Sequence, residues 1–304
     1  RVKMKNMNKY ENCLLCPRKC GINRSTGQTG ICGVSSEIKV ARAALHYWEE
    51  PCISGKRGSG AVFFSGCSLH CVFCQNREIS DGKEGKVISK ERLSDIFIEL
   101  AGKGANNINL VTPGQYIPDI VWAVNDAKSR GMKLPIIYNT SGYENVTELK
   151  LLEGIVDVYL PDFKYMDSTL SAMYSRAKDY PSVAKQALSE MVRQQPEVVI
   201  DDATGLIQKG VIVRQLLLPG HVNDAKAVLK YLYDTYRDHV YISMMSQFTP
   251  IALKDYPEIN RTVTKREYER LVNYALEIGI TNAFIQEGDV AKDSFIPAFD
   301  CEGV

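Results

Sequence analysis

Residues 66–76 read Gly66-Cys67-Ser68-Leu69-His70-Cys71-Val72-Phe73-Cys74-Gln75-Asn76, directly after the apolar run Ala61-Val62-Phe63-Phe64. Cysteines spaced by three and then two residues, on a loop leaving a strand, can aim three thiolates at one small volume. A structural tetrathiolate site closes its shell with four protein ligands, whereas an iron-sulfur cluster held by three cysteines leaves one iron open to an outside molecule. The spacing therefore points to a reactive centre. A zinc site or a set of buried structural thiols is the alternative.

The chain has 304 residues, is 45% hydrophobic and carries a formal net charge of +1. That length and apolar content suffice for one α/β domain with a small appendage. Near-zero net charge with no basic face argues against nucleic acid as a partner, and the basic stretch Arg1 to Lys5 reads as a frayed terminus. No apolar run is long enough to span a bilayer and no signal-peptide pattern is visible. Nine cysteines, most in two tight groups, suit metal binding in a reducing compartment, so a cytoplasmic location is expected.

The other group is Cys13-Leu14-Leu15-Cys16-Pro17-Arg18-Lys19-Cys20, followed by Gly27-Gln28-Thr29-Gly30 and then Cys32-Gly33. Four cysteines at short spacing, with glycines that permit tight turns, can wrap a metal and close its shell. Zinc, a second iron-sulfur cluster and free structural thiols all remain open for Cys13, Cys16, Cys20 and Cys32. This gives a Cys-rich module at residues 1–50 and a main domain at 51–304. His46, Trp48 and Cys52 lack partner spacing and read as structural; the roles of Cys52 and Cys301 are not specified by the pattern.

Beyond the cysteine loop, strands alternate with amphipathic helices. Ser89 is placed to cap a helix bearing Leu93, Ile96, Phe97 and Leu100, and a second helix carries Ile117, Ile120, Val121, Val124 and Ala127. Strands are expected at 107–111, 134–138, 155–160, 211–218 and 240–245, a helix over 181–195, a hairpin near Asp202 to Gly205, and a capping box from Thr264 to Glu267 for the last helix. Such alternation demands a parallel sheet with helices outside it.

The pattern Cys-x3-Cys-x-aromatic-Cys, with Gly66 and Gln75-Asn76 beside it, resembles the signature of the radical S-adenosylmethionine (SAM) enzymes, and in particular pyruvate formate-lyase activating enzyme and its homologues. The resemblance implies a partial (β/α)6 barrel and a 4Fe-4S cluster on Cys67, Cys71 and Cys74 with SAM on its open iron. It also implies reductive cleavage of SAM to a 5′-deoxyadenosyl radical, the cofactor carrying the hard chemistry. The N-terminal Cys-x2-Cys-Pro-Arg-x2-Cys with its later Gly-x-Cys-Gly resembles an extension found in a branch of activating-enzyme-like proteins, without fixing the metal.

In parallel barrels chemistry gathers at the C-terminal ends of the strands. There the resemblance makes Phe73, Asn76, Thr112, Gln115, Asn139, Thr140, Asp162 and Arg214 candidate cofactor contacts, with Lys164 facing the active site. Thr112-Pro113-Gly114-Gln115 stands where the family has a Gly-Gly-Glu-type motif, so the carboxylate that would meet the SAM ammonium is replaced by a neutral amide; an ordinary strand-to-helix turn is the competing reading. Asn139-Thr140-Ser141-Gly142 resembles the family's Asp-Thr-Asn-Gly, and Asp162-Phe163-Lys164 its Asp-x-Lys. In the family these stretches flank a monovalent cation, which the neutral Asn139 would hold weakly; a solvated Asp162 and Lys164 at a strand end is the alternative. Arg214 suits a carboxylate because its planar fork donates two parallel hydrogen bonds, provided it points inward rather than to the surface. His221 and Gln247 are secondary substrate-side candidates.

The implied function is an activase for a glycyl-radical enzyme, served by an electron donor such as flavodoxin or ferredoxin. A radical modifier of a peptide or small molecule, and a non-catalytic metal-binding interaction protein, are the alternatives.

Overall fold

The computed structural model describes residues 8–250, 253–286 and 297–304. The basic stretch Arg1 to Lys5 lies outside them. The strands are β1 (Ile38–His46), β2 (Ser59–Phe64), β3 (Lys86–Ile88), β4 (Ile108–Val111), β5 (Ile136–Thr140), β6 (Val158–Pro161), β7 (Val199–Ile200), β8 (Ile207–Leu216), β9 (Tyr241–Met245) and β10 (Ala283–Ile285). They run in the order β10-β9-β8-β6-β5-β4-β2-β1-β3, with β7 folded back on β8 as a hairpin. From β2 to β10 every neighbour along that path is parallel, which gives the expected six-stranded partial barrel plus a short seventh strand.

Helices cover the outer face because their apolar stripes match it. Helix Lys90–Gly102 is capped by Ser89, whose hydroxyl accepts the Arg92 amide at 3.1 Å, and it buries Leu93, Ile96, Phe97 and Leu100. Helix Ile117–Ser129 follows β4, helices Ser168–Ser175 and Tyr180–Gln194 lie between β6 and β8, and Val222–Tyr236 follows β8. Helix Lys265–Glu277 opens on the anticipated Thr264/Glu267 capping box. Among the described residues no helix is long and apolar enough to cross a membrane.

Period-two alternation sorts each strand into two faces. Val62, Phe64, Leu110, Tyr138, Tyr159, Val211 and Val213 join the large core under the helices. Ile137, Val158, Leu160 and Ile212 turn the other way and form an apolar floor with Cys52 and Ile53. One period beyond that floor the inward residues become polar: Ile137 is followed by Asn139, Leu160 by Asp162 and Ile212 by Arg214. Each large aliphatic side chain in the floor contributes about 1.5–3 kcal/mol by leaving water, and that rigid base fixes the polar groups above it.

Three strands are placed differently from the expectation. β1, assigned by sequence to the module ending at residue 50, is part of the main sheet, paired antiparallel with β2 through Ala43 and Val62 and with β3 through Lys39 and Val87. The strands over 134–138 and 155–160 begin later than expected, at Ile136 and Val158. Pro135 precedes the first, while Ile155 and Val156 close a turn by donating to Leu152 before the second.

Candidate active site

A cavity of about 690 Å³ opens at the C-terminal ends of the parallel strands, and Cys67, Cys71 and Cys74 all line it. Their loop leaves β2 through Gly66, which sits at φ +89°; a β-carbon there would meet the Cys32 carbonyl oxygen at 2.6 Å, so only glycine fits. The loop is held by backbone bonds from Gly66 to Ile79 (2.8 Å), Val72 to Tyr174 (2.9 Å) and Cys74 to Cys71 (3.1 Å). Phe73 is buried against Tyr174 and Phe248.

The donor set fits a cluster. Three soft sulfur ligands lie on one cavity wall; Ser175 Oγ donates to Cys71 Sγ at 2.9 Å and the Leu69 amide to Cys67 Sγ at 3.4 Å. Burial pushes the Cys71 thiol up to about 11 and the Cys74 thiol to about 12, favouring the protonated form of both. Among the described residues no three His, Cys, Asp or Glu side chains are gathered as a single metal ion would require. A four-iron cubane takes each cysteine at a separate corner and does not ask its ligands to meet at one point.

Asp162 and Lys164 face the same cavity as a pair, Nζ to Oδ2 2.5 Å. Burial pulls the Lys164 ammonium down, but Asp162 and then Cys71 outweigh it and hold the pKa above its ordinary value. The Lys164 amide donates to Tyr180 Oη at 2.9 Å, and that hydroxyl also reaches the Ser141 carbonyl at 2.9 Å, so one buried tyrosine ties the ends of β5 and β6 together. Phe73, Asn76, Thr112, Asn139 and Thr140 also line the cavity. Thr112 adopts φ +56°, its amide bonded to the Asn139 carbonyl at 2.9 Å.

Gln115 departs from its expected role. Its side-chain amide donates to the carbonyls of Ser65 (3.0 Å), Gly66 (3.1 Å) and Thr112 (2.8 Å), so it clamps the cysteine loop to the end of β4 instead of lining the large cavity. Arg214 does turn inward, as its alternation with Ile212 requires, yet its fork is engaged within the chain. Nε donates to Glu50 Oε1 at 2.8 Å, and Nη2 to Glu50 Oε2 at 2.7 Å and to Glu49. Gln247 lines the cavity, and its carbonyl accepts from Gln75 at 2.9 Å, whereas His221 lies outside it, bonded to Tyr174.

Sequence reasoning missed Glu49 and Glu50, both cavity-lining, and took His46 and Trp48 as purely structural although they line its wall. Glu49 accepts from Asn109 Nδ2 at 2.9 Å. The one local cue was two adjacent carboxylates before Pro51, and nothing in that spacing names a partner 164 positions away.

The four N-terminal cysteines surround a second cavity of about 20 Å³ on the other side of the loop, lined also by Arg24, Gln115, Glu144 and Cys67. Cys13 and Cys32 are buried, Cys16 and Cys20 half-buried. Arg24 is buried, with Nη1 on the Gln115 carbonyl at 2.8 Å and 3.7 Å from Cys13 Sγ.

Residues 54–176 match the 4Fe-4S single cluster domain. An uncharacterized protein of Methanocaldococcus jannaschii is 28% identical over 275 residues, covering 88% of this chain and 75% of that protein. A radical SAM methyltransferase from Sphaerobacter thermophilus has a similar structure, with TM-score 0.51 and 16% identity over 75% of this chain and 66% of that one. SuiB of Streptococcus suis, solved with S-adenosylmethionine, gives TM-score 0.49 and 12% identity over 73% of this chain and 48% of that one. Residues 54–176 are thus similar to the 4Fe-4S single cluster domain, and the chain shares its α/β fold with the radical SAM methyltransferase from Sphaerobacter thermophilus.

Proposed function

We propose that this chain is a radical SAM enzyme that cleaves SAM reductively within the 690 Å³ cavity, and that it acts in the manner of a glycyl-radical activase. The observation that carries the reading is the convergence of Cys67, Cys71 and Cys74 with the Asp162–Lys164 pair on one cavity at the strand ends. A 4Fe-4S cluster bound there would supply the one-electron reduction that SAM cleavage needs. The chain's own residues do the rest. Cys67, Cys71 and Cys74 would hold such a cluster, and three cysteine ligands would leave one of its irons available to SAM. Lys164 keeps a positive charge beside Cys71 and offsets the thiolate charge. Asp162, Asn139 and Glu49 offer oxygen acceptors to the SAM ammonium, a role for which Gln115 is not available. Phe73, packed against Tyr174 and Phe248, keeps water from the loop's inner side. An external one-electron donor such as flavodoxin or ferredoxin supplies the electron, and a partner glycyl-radical enzyme supplies the hydrogen to be abstracted.

The test uses anaerobic, reconstituted protein given SAM and a strong one-electron reductant. Methionine and 5′-deoxyadenosine are expected in equal amounts. None above background, with a verified reduced cluster, removes the reading. Repeating the assay with a glycyl-radical enzyme and watching for a protein-centred radical separates activase from other radical modifiers.

A further inference from the structure

The chain that follows β6 grips the cysteine loop from outside the large cavity. Helix Ser168–Ser175 ends at Ser175, and Arg176 closes it at φ +50°. At that helix end the Tyr174 carbonyl accepts the Val72 amide at 2.9 Å, and the Tyr174 ring packs on Phe73. Arg18 spans the junction: Nη2 donates to the Ser175 carbonyl at 3.1 Å, Nη1 to the Arg176 carbonyl at 2.6 Å and Nε to the Ser68 carbonyl at 2.9 Å. Carbonyls at a helix C-terminus lack partners within the helix, so one guanidinium satisfies them and fastens the helix end to the loop.

Inside this junction two buried hydroxyls form a chain that ends on a sulfur. Tyr165 Oη lies 2.8 Å from Ser175 Oγ, and Ser175 Oγ donates to Cys71 Sγ at 2.9 Å. Tyr165 and Ser175 are both fully buried and neither lines the large cavity, so neither is placed to touch a molecule bound there. Donor counting sets the direction of the chain. A serine hydroxyl carries one proton, and a phenol keeps its own at neutral pH. With the Ser175 proton on sulfur, Ser175 Oγ accepts from Tyr165, which among the described residues has no other hydrogen-bond partner for its hydroxyl. In a dry interior each donor polarises the next, so Tyr165 both orients the Ser175 hydroxyl and strengthens its bond to sulfur. Among the described residues Cys71 is the one loop cysteine whose sulfur meets a side-chain hydroxyl; the Cys67 sulfur meets the Leu69 amide at 3.4 Å.

We propose that Tyr165 and Ser175 are positioning residues of the cysteine site: Tyr165 aims the Ser175 hydroxyl at the Cys71 sulfur, and that bond raises the reduction potential of a cluster held by Cys67, Cys71 and Cys74. The inference rests on the proposed function for the presence of the cluster. Taking up one electron adds one negative charge, which spreads onto the ligand sulfurs. A hydrogen-bond donor on a ligand sulfur stabilises that added charge, so it favours the reduced state over the oxidised one. Ser175 acts on the sulfur directly, whereas Tyr165 acts only through Ser175. Arg18 and the Tyr174 carbonyl hold the helix end at the distance the hydroxyl needs.

The test is an equilibrium redox titration of the anaerobically reconstituted full chain without SAM, followed by absorbance and electron paramagnetic resonance, with iron measured alongside. Relative to wild type, Ser175→Ala should lower the equilibrium constant for reduction about tenfold, which is 59 mV for a one-electron couple, and Tyr165→Phe about threefold. The double variant should fall no further than Ser175→Ala, because the tyrosine has no effect once the serine hydroxyl is gone. A merely structural role would lower iron content or melting temperature without moving the potential of the cluster that remains. An equilibrium constant for Ser175→Ala within about twofold of wild type, or losses that add in the double variant, overturns the proposal. Tyr165→Phe removes a single oxygen atom and keeps every sulfur and the Ser175 hydroxyl, so it decides where Ser175→Ala assembles no cluster: the threefold fall supports the proposal and an unchanged constant overturns it. A wild-type chain that assembles no cluster refutes the proposed function and this inference together. The expected shifts without any 5′-deoxyadenosine from SAM refute the proposed function alone.

Discussion

Arg214 on β8 forms a bidentate ion pair with Glu50, Nε to Oε1 2.8 Å and Nη2 to Oε2 2.7 Å, across the barrel interior. Glu50 stands in the connection that follows β1, at the N-cap of the short helix Pro51–Ser54, so the pair ties the antiparallel edge of the sheet to its parallel centre.

Glu50→Ala is expected to cost about 3 kcal/mol of stability, since removing one partner leaves a buried guanidinium undercompensated. The acid dependence has a definite sign. Burial raises the Glu50 carboxyl, but Arg214 outweighs burial and holds it below the usual carboxylate range. Its stabilisation is therefore complete above about pH 5 and is lost as pH falls through the depressed folded value. Urea unfolding of wild type and Glu50→Gln between about pH 3 and 7 should show a gap that narrows on acidification. A gap that widens below pH 5 would contradict the assignment.

Replacing Cys67, Cys71 or Cys74 singly by Ala should abolish the SAM-responsive signal in electron paramagnetic resonance. A variant with an intact SAM-responsive signal would remove that cysteine from the ligand set.

Gln115→Glu restores the residue type usual in the family at that position, but here it should damage the protein. A carboxylate would face the carbonyls of Ser65, Gly66 and Thr112 in place of an amide donor, at a cost of roughly 2–5 kcal/mol. A lower melting temperature and no gain in SAM affinity are expected. Tighter SAM binding at unchanged stability would return Gln115 to the cofactor site.

Lys164→Met should lower 5′-deoxyadenosine formation at least tenfold with the iron content unchanged, because it removes the cation beside Cys71 and leaves Asp162 unpaired. Iron analysis alongside the product assay checks it. Loss of iron in proportion to activity would instead make Lys164 a support of the cluster loop.

Elements with strong local signals were legible in the sequence: the cysteine loop, the Ser89 cap, the Thr264/Glu267 capping box and the apolar strand runs. Several short elements were not, three of them instructive. Lys86–Ile88 leaves Lys86 and Val87 exposed, Ala283–Ile285 is three residues long, and helix Ser168–Ser175 is built largely from serine and other residues with no sharp periodicity. The inward placement of Arg214 could be narrowed to one of two faces by alternation, and only the position of Ile212 in the barrel floor decides between them. Its pairing with Glu49 and Glu50 depends on long-range closure of the sheet, which leaves no short-range trace.

β1 also guards the sheet against association with itself. β2 is buried at every position, and among the described residues its backbone is paired on one side only by β1, which is also the sole partner of β3. A chain cut to begin at residue 51, where composition suggests a boundary, would bare the unpaired backbone of a wholly buried strand, a template for edge-to-edge aggregation. Such a fragment should collect in the insoluble fraction whatever the state of its cluster, so the N-terminal segment acts as a built-in solubility element for the barrel that follows it.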